Sequence, residues 1–211
     1  MDFFFKSMPE YSLQSPKSNM AKLSKDFYLR DDVVSISKEL LGKYLFTNIA
    51  GKLVAGIITE TEAYAGVTDK ASHAFNNRRT RRTEIMFGEG GKAYVYLCYG
   101  IHHLFNIVTN KRDIPHAVLI RAIKPIEGME TILERRNKTV MNDNIAGGPG
   151  TVSQALGITV KDTGIDLTGN EIWIEDCGIE IIERDILVGP RVGIDYAAED
   201  ALLPYRFQVF L

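Results

Sequence analysis

The sequence predicts a single α+β domain, a β-sheet with flanking helices. Three observations carry this expectation. Segments of strand-like alternation follow one another between residues 43 and 123, helical apolar spacing recurs on either side of them, and turn residues separate the patterns. At 211 residues and 45% hydrophobic content the chain can bury an ordinary core, and its length fits one domain better than two.

MDFFFK at the start is too short an apolar run for a signal peptide or a membrane span, and residues 9–24 are polar. Residues 1–25 therefore read as a flexible N-terminal extension and residues 26–211 as the functional domain. Asp31 or Asp32 caps a helix running to about Leu41, because Val33, Ile36 and Leu40 recur at helical spacing and Gly42 can end it. KYLFTNI and LVAGIITETEAY read as two strands about a turn at Ala50, Gly51 and Lys52. Alternation along the second gathers Glu60, Glu62 and Tyr64 on one face.

Residues 65–92 are polar and rich in Gly, Asn and Arg, which marks a long functional loop. The loop contains RRTRR, the densest positive charge in the chain. KAYVYLCY, HHLFNIVT and HAVLIRAI read as three further strands; in the first, Tyr94 and Tyr96 share a face while Tyr99 points away or caps the turn at Gly100. A helical pattern spans Ile126 to Asn137. A second short helix, TVSQALG, is entered through Pro149 and closed by Gly157, and its N-terminus can hold an anion. EIWIED, EIIERD and RVGID alternate apolar and charged residues, as strands returning to the same sheet do.

A net charge of −2 and a pI near 6.1 argue against nucleic-acid binding by bulk charge, so any such contact has to be local. Cys98 and Cys177 lie far apart and suggest neither a disulfide framework nor a thiolate metal site, which fits a reducing cytoplasm. His102 and His103 are adjacent and diverge on a strand, so no metal site and no cofactor are expected. In contrast, Tyr64, His73, Tyr96 and Tyr99 fall in or beside the long loop, near Glu62 and the arginine run. An enzyme that acts on a nucleobase needs stacking faces, a wedge, positive charge for phosphates and a carboxylate for water, and these residues offer all four. Each has an ordinary explanation taken alone: a solvent-facing glutamate, tyrosines of a half-buried strand, a solvated basic loop. Arg121, inside the apolar run AVLIRAI, is either an edge-strand arginine facing solvent or a buried one that needs a carboxylate, with Glu62 the preferred partner.

ETEAY (60–64), His73, RRTEIMFGEGGKAYVYLCYGIHHLFNI, LIRAIKPIEG, GPGTVSQALGI (148–158) and RVGID (191–195) together resemble the alkyladenine (3-methyladenine) DNA glycosylase family, colinearly from about Leu29 to Phe210. The resemblance implies a curved, mostly antiparallel sheet without a helix-hairpin-helix element, and an enzyme that acts on duplex DNA containing damaged purines; a monomer is the simplest expectation. It implies Glu62 as general base, with Arg121 and the backbone carbonyl of Val192 helping to hold the water. Tyr64, His73 and Tyr96 match the walls around a flipped base, Asn106 the group that crowds the amino group of guanine, and Tyr99 the wedge. Arg78, Arg79, Arg81, Arg82 and the helix start at Gly150 and Thr151 are the expected phosphate contacts, although Thr151 stands where many relatives have lysine. No lysine occupies the matched catalytic position, so the implied enzyme is monofunctional, uses water and leaves an abasic site. The alternatives are a catalytically silent damage-recognition module and a hydrolase of free nucleosides.

Overall fold

The computed structural model describes residues 21–211. In chain order the elements are β1 (Ala21–Lys22), α1 (Lys25–Tyr28), α2 (Val33–Glu39), β2 (Tyr44–Ile49), β3 (Lys52–Tyr64), β4 (Lys92–Cys98), β5 (His102–Thr109), β6 (His116–Glu127), α3 (Met129–Arg136), α4 (Pro149–Leu156), β7 (Ile172–Asp176), β8 (Leu187–Gly189) and β9 (Arg206–Gln208). All the strands join one antiparallel sheet in the order β1-β7-β2-β3-β6-β5-β4, with β9 pairing both β3 and β8. The fold is α+β, as expected, with a curled antiparallel sheet, and no helix-hairpin-helix element is evident among the described residues.

Local chemistry explains most of the boundaries. Asp32 accepts the backbone N–H groups of Val34 and Ser35 at 3.0 and 3.1 Å, which starts α2, and Gly42 at φ +78 turns the chain after it. Ala50 and Gly51, both left-handed at φ 55 and 72, make the tight turn between β2 and β3. Along the sheet, alternation divides the side chains between two layers. Ala63, Ala93, Val95, Phe105, Ile107, Val118 and Ile120 face the main core with the helices, while Tyr94, Val108 and Ala117 pack with Ala74, Met86 and Phe87 of the 65–92 loop on the other side. The loop thus covers one face of β4, β5 and β6.

Three expectations need correction, and one alternative falls. The helix expected from Ile126 starts at Met129, because Ile126 and Glu127 extend β6, with Glu127 opposite Ala55. EIIERD is not a strand. Ile181 instead packs against the bare Cα of Gly42, where a Cβ would come within 3.0 Å of it, and Glu183 pairs with Lys38. RVGID is not a strand either: Arg191 is drawn into the interior and Gly193, at φ +73, breaks the extended path. The edge-strand reading of Arg121 falls because β6 lies between β3 and β5. Of the expected N-terminal extension, residues 1–20 lie outside the described residues, whereas Ala21 and Lys22 pair with Asp176 and Glu175.

Candidate active site

Glu62 is fully buried on β3, and the three groups that bond it all favour its anion, against its burial and the nearby Glu60. Oε1 accepts the Val192 N–H at 2.8 Å and lies 3.3 Å from an Arg121 guanidinium nitrogen; Oε2 accepts the Tyr64 hydroxyl at 2.8 Å. Burial pushes its pKa above the ordinary carboxylate range, opposed by Arg121, the Val192 N–H and the Tyr64 hydroxyl, with Glu60 adding to the upward push. The result is a desolvated carboxylate with proton affinity to spare, the property a general base needs.

Irregular pairing between β3 and β6 delivers Arg121 to this place. Ile120 pairs with Thr61 and Ala122 with Glu60, so Arg121 itself has no registered partner, and such bulges re-aim side chains. Its Nε donates to Glu60 at 3.0 Å, and Arg206 donates to the same Glu60 oxygen at 3.1 Å. Two carboxylates and two guanidinium groups therefore form one network, in which the shorter contact of Arg121 goes to Glu60 and the longer to the expected partner Glu62.

Next to Glu62 opens a cavity of about 450 Å³, lined by Tyr64, His73, Tyr94, Tyr96 and Asn106 among others. The His73 ring stands edge-on to Tyr96, centroids 4.5 Å apart at 77°, and its Nδ1 is 2.7 Å from the Tyr94 hydroxyl. Burial, then Arg82 and Arg78, push the His73 pKa down to about 4, so the imidazole is neutral near pH 7. Asn106, opposite Tyr94 and Leu119, donates from Nδ2 to the Tyr94 and Leu104 carbonyls at 3.2 and 3.1 Å, which fixes its amide in the cavity wall.

Tyr99 stands at the tip of the β4–β5 hairpin. It is 90% exposed, and with Gly100 it forms a turn of two left-handed residues, φ 50 and 74, closed by the Ile101 N–H on the Cys98 carbonyl. An exposed aromatic ring held in an unfavourable backbone conformation is a costly arrangement, and it projects the ring from a rigid strand pair. Ile101, 71% exposed, lies beside it on the same tip.

The remaining expected residues differ in what they are free to do. Arg78, Arg79, Arg81 and Arg82 are all exposed, but Arg79 is bound to Glu84 and Asp113 and lies over the Phe87 ring, a structural tie that detracts from a phosphate role. Thr151 Oγ accepts the Gly148 N–H at 3.0 Å and donates to the Gly148 carbonyl at 2.7 Å, so its hydroxyl serves the start of α4. Gly150 lets α4 approach β5, since a Cβ there would come within 3.0 Å of the His102 ring. For Val192 it is the N–H that reaches the site. Residues absent from the expected set are Glu60 as partner of Arg121, Arg206 as second partner of Glu60, Tyr94 as partner of His73, and a buried Arg191–Asp69 pair behind Tyr64. The shared face of Tyr94 and Tyr96 was visible in the alternation, whereas Asp69 and Arg191, 122 residues apart, gave no local signal.

A larger groove of about 690 Å³ lies between α2 and residues 176–186. Its lysines, Lys38 and Lys43, are already paired with Glu183 and Asp176, and it presents no aromatic face for a base.

Comparison with known proteins gives the family of the chain. The methylpurine-DNA glycosylase (MPG) family matches residues 26–210. A protein of Chlamydia felis named "Putative 3-methyladenine DNA glycosylase" is 47% identical over 186 residues, 88% of this chain and 94% of the relative. Proteins of the same name from Clostridium acetobutylicum and Bacillus cereus are each 44% identical, over 89% and 85% of this chain and 94% and 92% of theirs. With the match running through the buried carboxylate, the aromatic cavity and the exposed hairpin alike, the chain belongs to the methylpurine-DNA glycosylase family.

Proposed function

We propose that the protein is a base-excision DNA glycosylase that takes alkylated or deaminated purines out of duplex DNA and hydrolyses the N-glycosidic bond. The observation that carries this reading is the buried Glu62 carboxylate bonded to Tyr64, Arg121 and Val192, which line an aromatic cavity, on the sheet whose outer hairpin exposes Tyr99. Unstacking a base costs a few kcal/mol, least for a damaged or mispaired one, and stacking on aromatic walls returns about 1–3 kcal/mol per base. The neutral His73 leaves the Tyr94–His73–Tyr96 wall uncharged, so a cationic alkylpurine meets ring faces and not a like charge. Asn106, fixed in the wall, rejects the amino group of normal guanine.

In the chemical step a water oxygen attacks the anomeric carbon, the C–N bond breaks, and its electron pair leaves with the base. Glu62 takes the water proton and, while still anionic, stabilises the positive charge growing on the sugar. The products are an abasic sugar and the free base; a neutral purine, which departs as an anion, takes up a proton equivalent to the one held by Glu62, whereas a cationic alkylpurine departs neutral and that proton goes to solvent, which regenerates the carboxylate. Arg121 keeps the carboxylate oriented, and the Val192 backbone would help hold the water. Among the described residues no lysine lines the cavity, which supports a water-using, monofunctional enzyme without a Schiff base. Arg78, Arg81 and Arg82 would supply local phosphate contacts for a protein of net charge −2. No described helix is long and apolar enough to cross a membrane, and we place the protein as a monomer in the cytoplasm, bound to DNA when active.

The test is incubation of the purified protein with duplexes carrying one hypoxanthine or ethenoadenine, and with methylated DNA. Release of the base, with strand breaks only after alkali and no borohydride-trapped adduct, is the expected result. Breaks without alkali would overturn the monofunctional reading, and lesion binding without release would favour a damage-recognition module.

A further inference from the structure

Behind the cavity wall lies an ion pair that is itself no part of the lining. Arg191 and Asp69 are 0% and 1% exposed in their side chains and meet through two nitrogen–oxygen contacts of 2.5 and 2.8 Å. Neither lines the cavity. A buried pair of this kind is a poor device for stability alone, because apolar residues of similar volume usually do as well. Its value lies in the direction of its bonds.

Those bonds end on the backbone of three separate parts of the site. The Arg191 guanidinium donates to the Ala63 carbonyl at 2.9 Å, between Glu62 and Tyr64, and to the Asp200 carbonyl at 3.2 Å; it also lies 4.7 Å from the centre of the Tyr64 ring. The Asp69 carboxylate accepts the N–H of Ala65, next to Tyr64, at 2.9 Å and that of Ala71, two residues before His73, at 3.0 Å. The residue after Arg191 is Val192, whose N–H is bound to Glu62. Asp200 adds a brace by accepting the Lys70 N–H at 2.8 Å.

We infer that Arg191 and Asp69 are positioning residues that fix Tyr64, the His73 segment and the Val192 N–H as one body around Glu62, so that the carboxylate, the base wall and the water site keep a single geometry. This inference rests on the glycosylase reading. Neither residue lines the cavity; Asp69 acts through backbone, and Arg191 through backbone and the face of the Tyr64 ring. A displacement of the order of 1 Å in such a frame is enough to cost about 100-fold in rate. A lysine at 191 keeps the charge but cannot make the planar fork.

The experiment uses the full-length protein and three variants: Arg191→Lys, Asp69→Asn, and the double variant Arg191→Met with Asp69→Asn, which removes both buried charges. Single-turnover release of hypoxanthine is measured from pH 5 to 9, together with lesion-duplex affinity and the melting midpoint, at a temperature where circular dichroism shows each variant folded. The Glu62 carboxylate faces Arg121, Glu60, Tyr64 and the Val192 N–H, with Arg206 behind Glu60 and with Arg191, Tyr96 and Tyr196 near enough to act on its charge. The variants loosen Val192 and Tyr64, and because Arg191→Lys and Asp69→Asn keep the charge at 191, their acid limbs read positioning and not its loss. The expected result is a rate lower by about 10- to 100-fold, a smaller loss of affinity, and an acid limb moved to higher pH. The double variant regains melting temperature and not rate. If it regains both, with the wild-type acid limb, the pair is structural only and the inference fails while the glycosylase reading stands. Arg191→Lys with wild-type rate and acid limb has the same meaning. A wild type that releases no base overturns the glycosylase reading and the inference with it.

Discussion

His73 makes the protein's stability depend on pH in a way that can be worked out in advance. Its ordinary value is 6.5, and burial followed by the charges of Arg82 and Arg78 brings it to about 4 in the folded chain. Between these values the unfolded chain binds a proton that the native imidazole refuses. The His73 contribution is therefore fully present above about pH 6.5 and is lost as the pH falls toward 4. At ~1.4 kcal/mol per pH unit the loss has a ceiling of about 3 kcal/mol, reduced by the part of the ring that meets solvent. Urea unfolding of the wild type and of His73→Gln, followed at the single tryptophan, Trp173 on β7, measures it. The wild-type advantage should shrink by about 2–3 kcal/mol from pH 7 to pH 4, and by less in high salt, which screens the two arginines. A difference that stays constant with pH, or grows on acidification, refutes the argument.

Three further outcomes follow from particular contacts. Tyr99→Ala removes a ring that is 90% exposed, so unfolding stability should stay within about 0.5 kcal/mol while affinity for a lesion duplex falls, as titration of a labelled duplex would register. Arg81→Ala should lower the salt slope of duplex binding by about 1, and Arg79→Ala, whose side chain is held by Glu84 and Asp113, by less; equal slopes would contradict the division drawn between them. Asp32→Ala deletes the α2 cap and should cost about 1 kcal/mol in urea unfolding with base release unchanged.

How far the residues foretold this structure can be argued from individual cases. The strands from Tyr44 to Ile123 were readable because each carries its own alternation, and the α2 start because Asp32 bonds only two and three residues ahead. β8 and β9, three residues each, were not, since so short a segment holds too little pattern to recognise. Glu60, Glu62 and Tyr64 were gathered on one face by period two, and the structure joins them through Arg121 and one hydroxyl. What alternation could not show was the irregular pairing that frees Arg121 from register, or the fate of RVGID. That segment alternates like a strand, yet Asp69 claims its arginine and Glu62 its backbone N–H, both more than 120 residues away. Long-range polar partners decide such segments, and they leave no local trace.

The central claim is that Glu62 acts as the base for water in glycosidic hydrolysis. Glu62→Gln keeps the size of the side chain and an oxygen for the Val192 N–H while removing the charge that takes the proton. Single-turnover release from a hypoxanthine duplex, with lesion binding measured on the same samples, tests it most directly. The account predicts that the variant binds the lesion duplex as the wild type does and releases base at least about 100-fold more slowly. Release at the wild-type rate by a correctly folded, lesion-binding Glu62→Gln protein would contradict it.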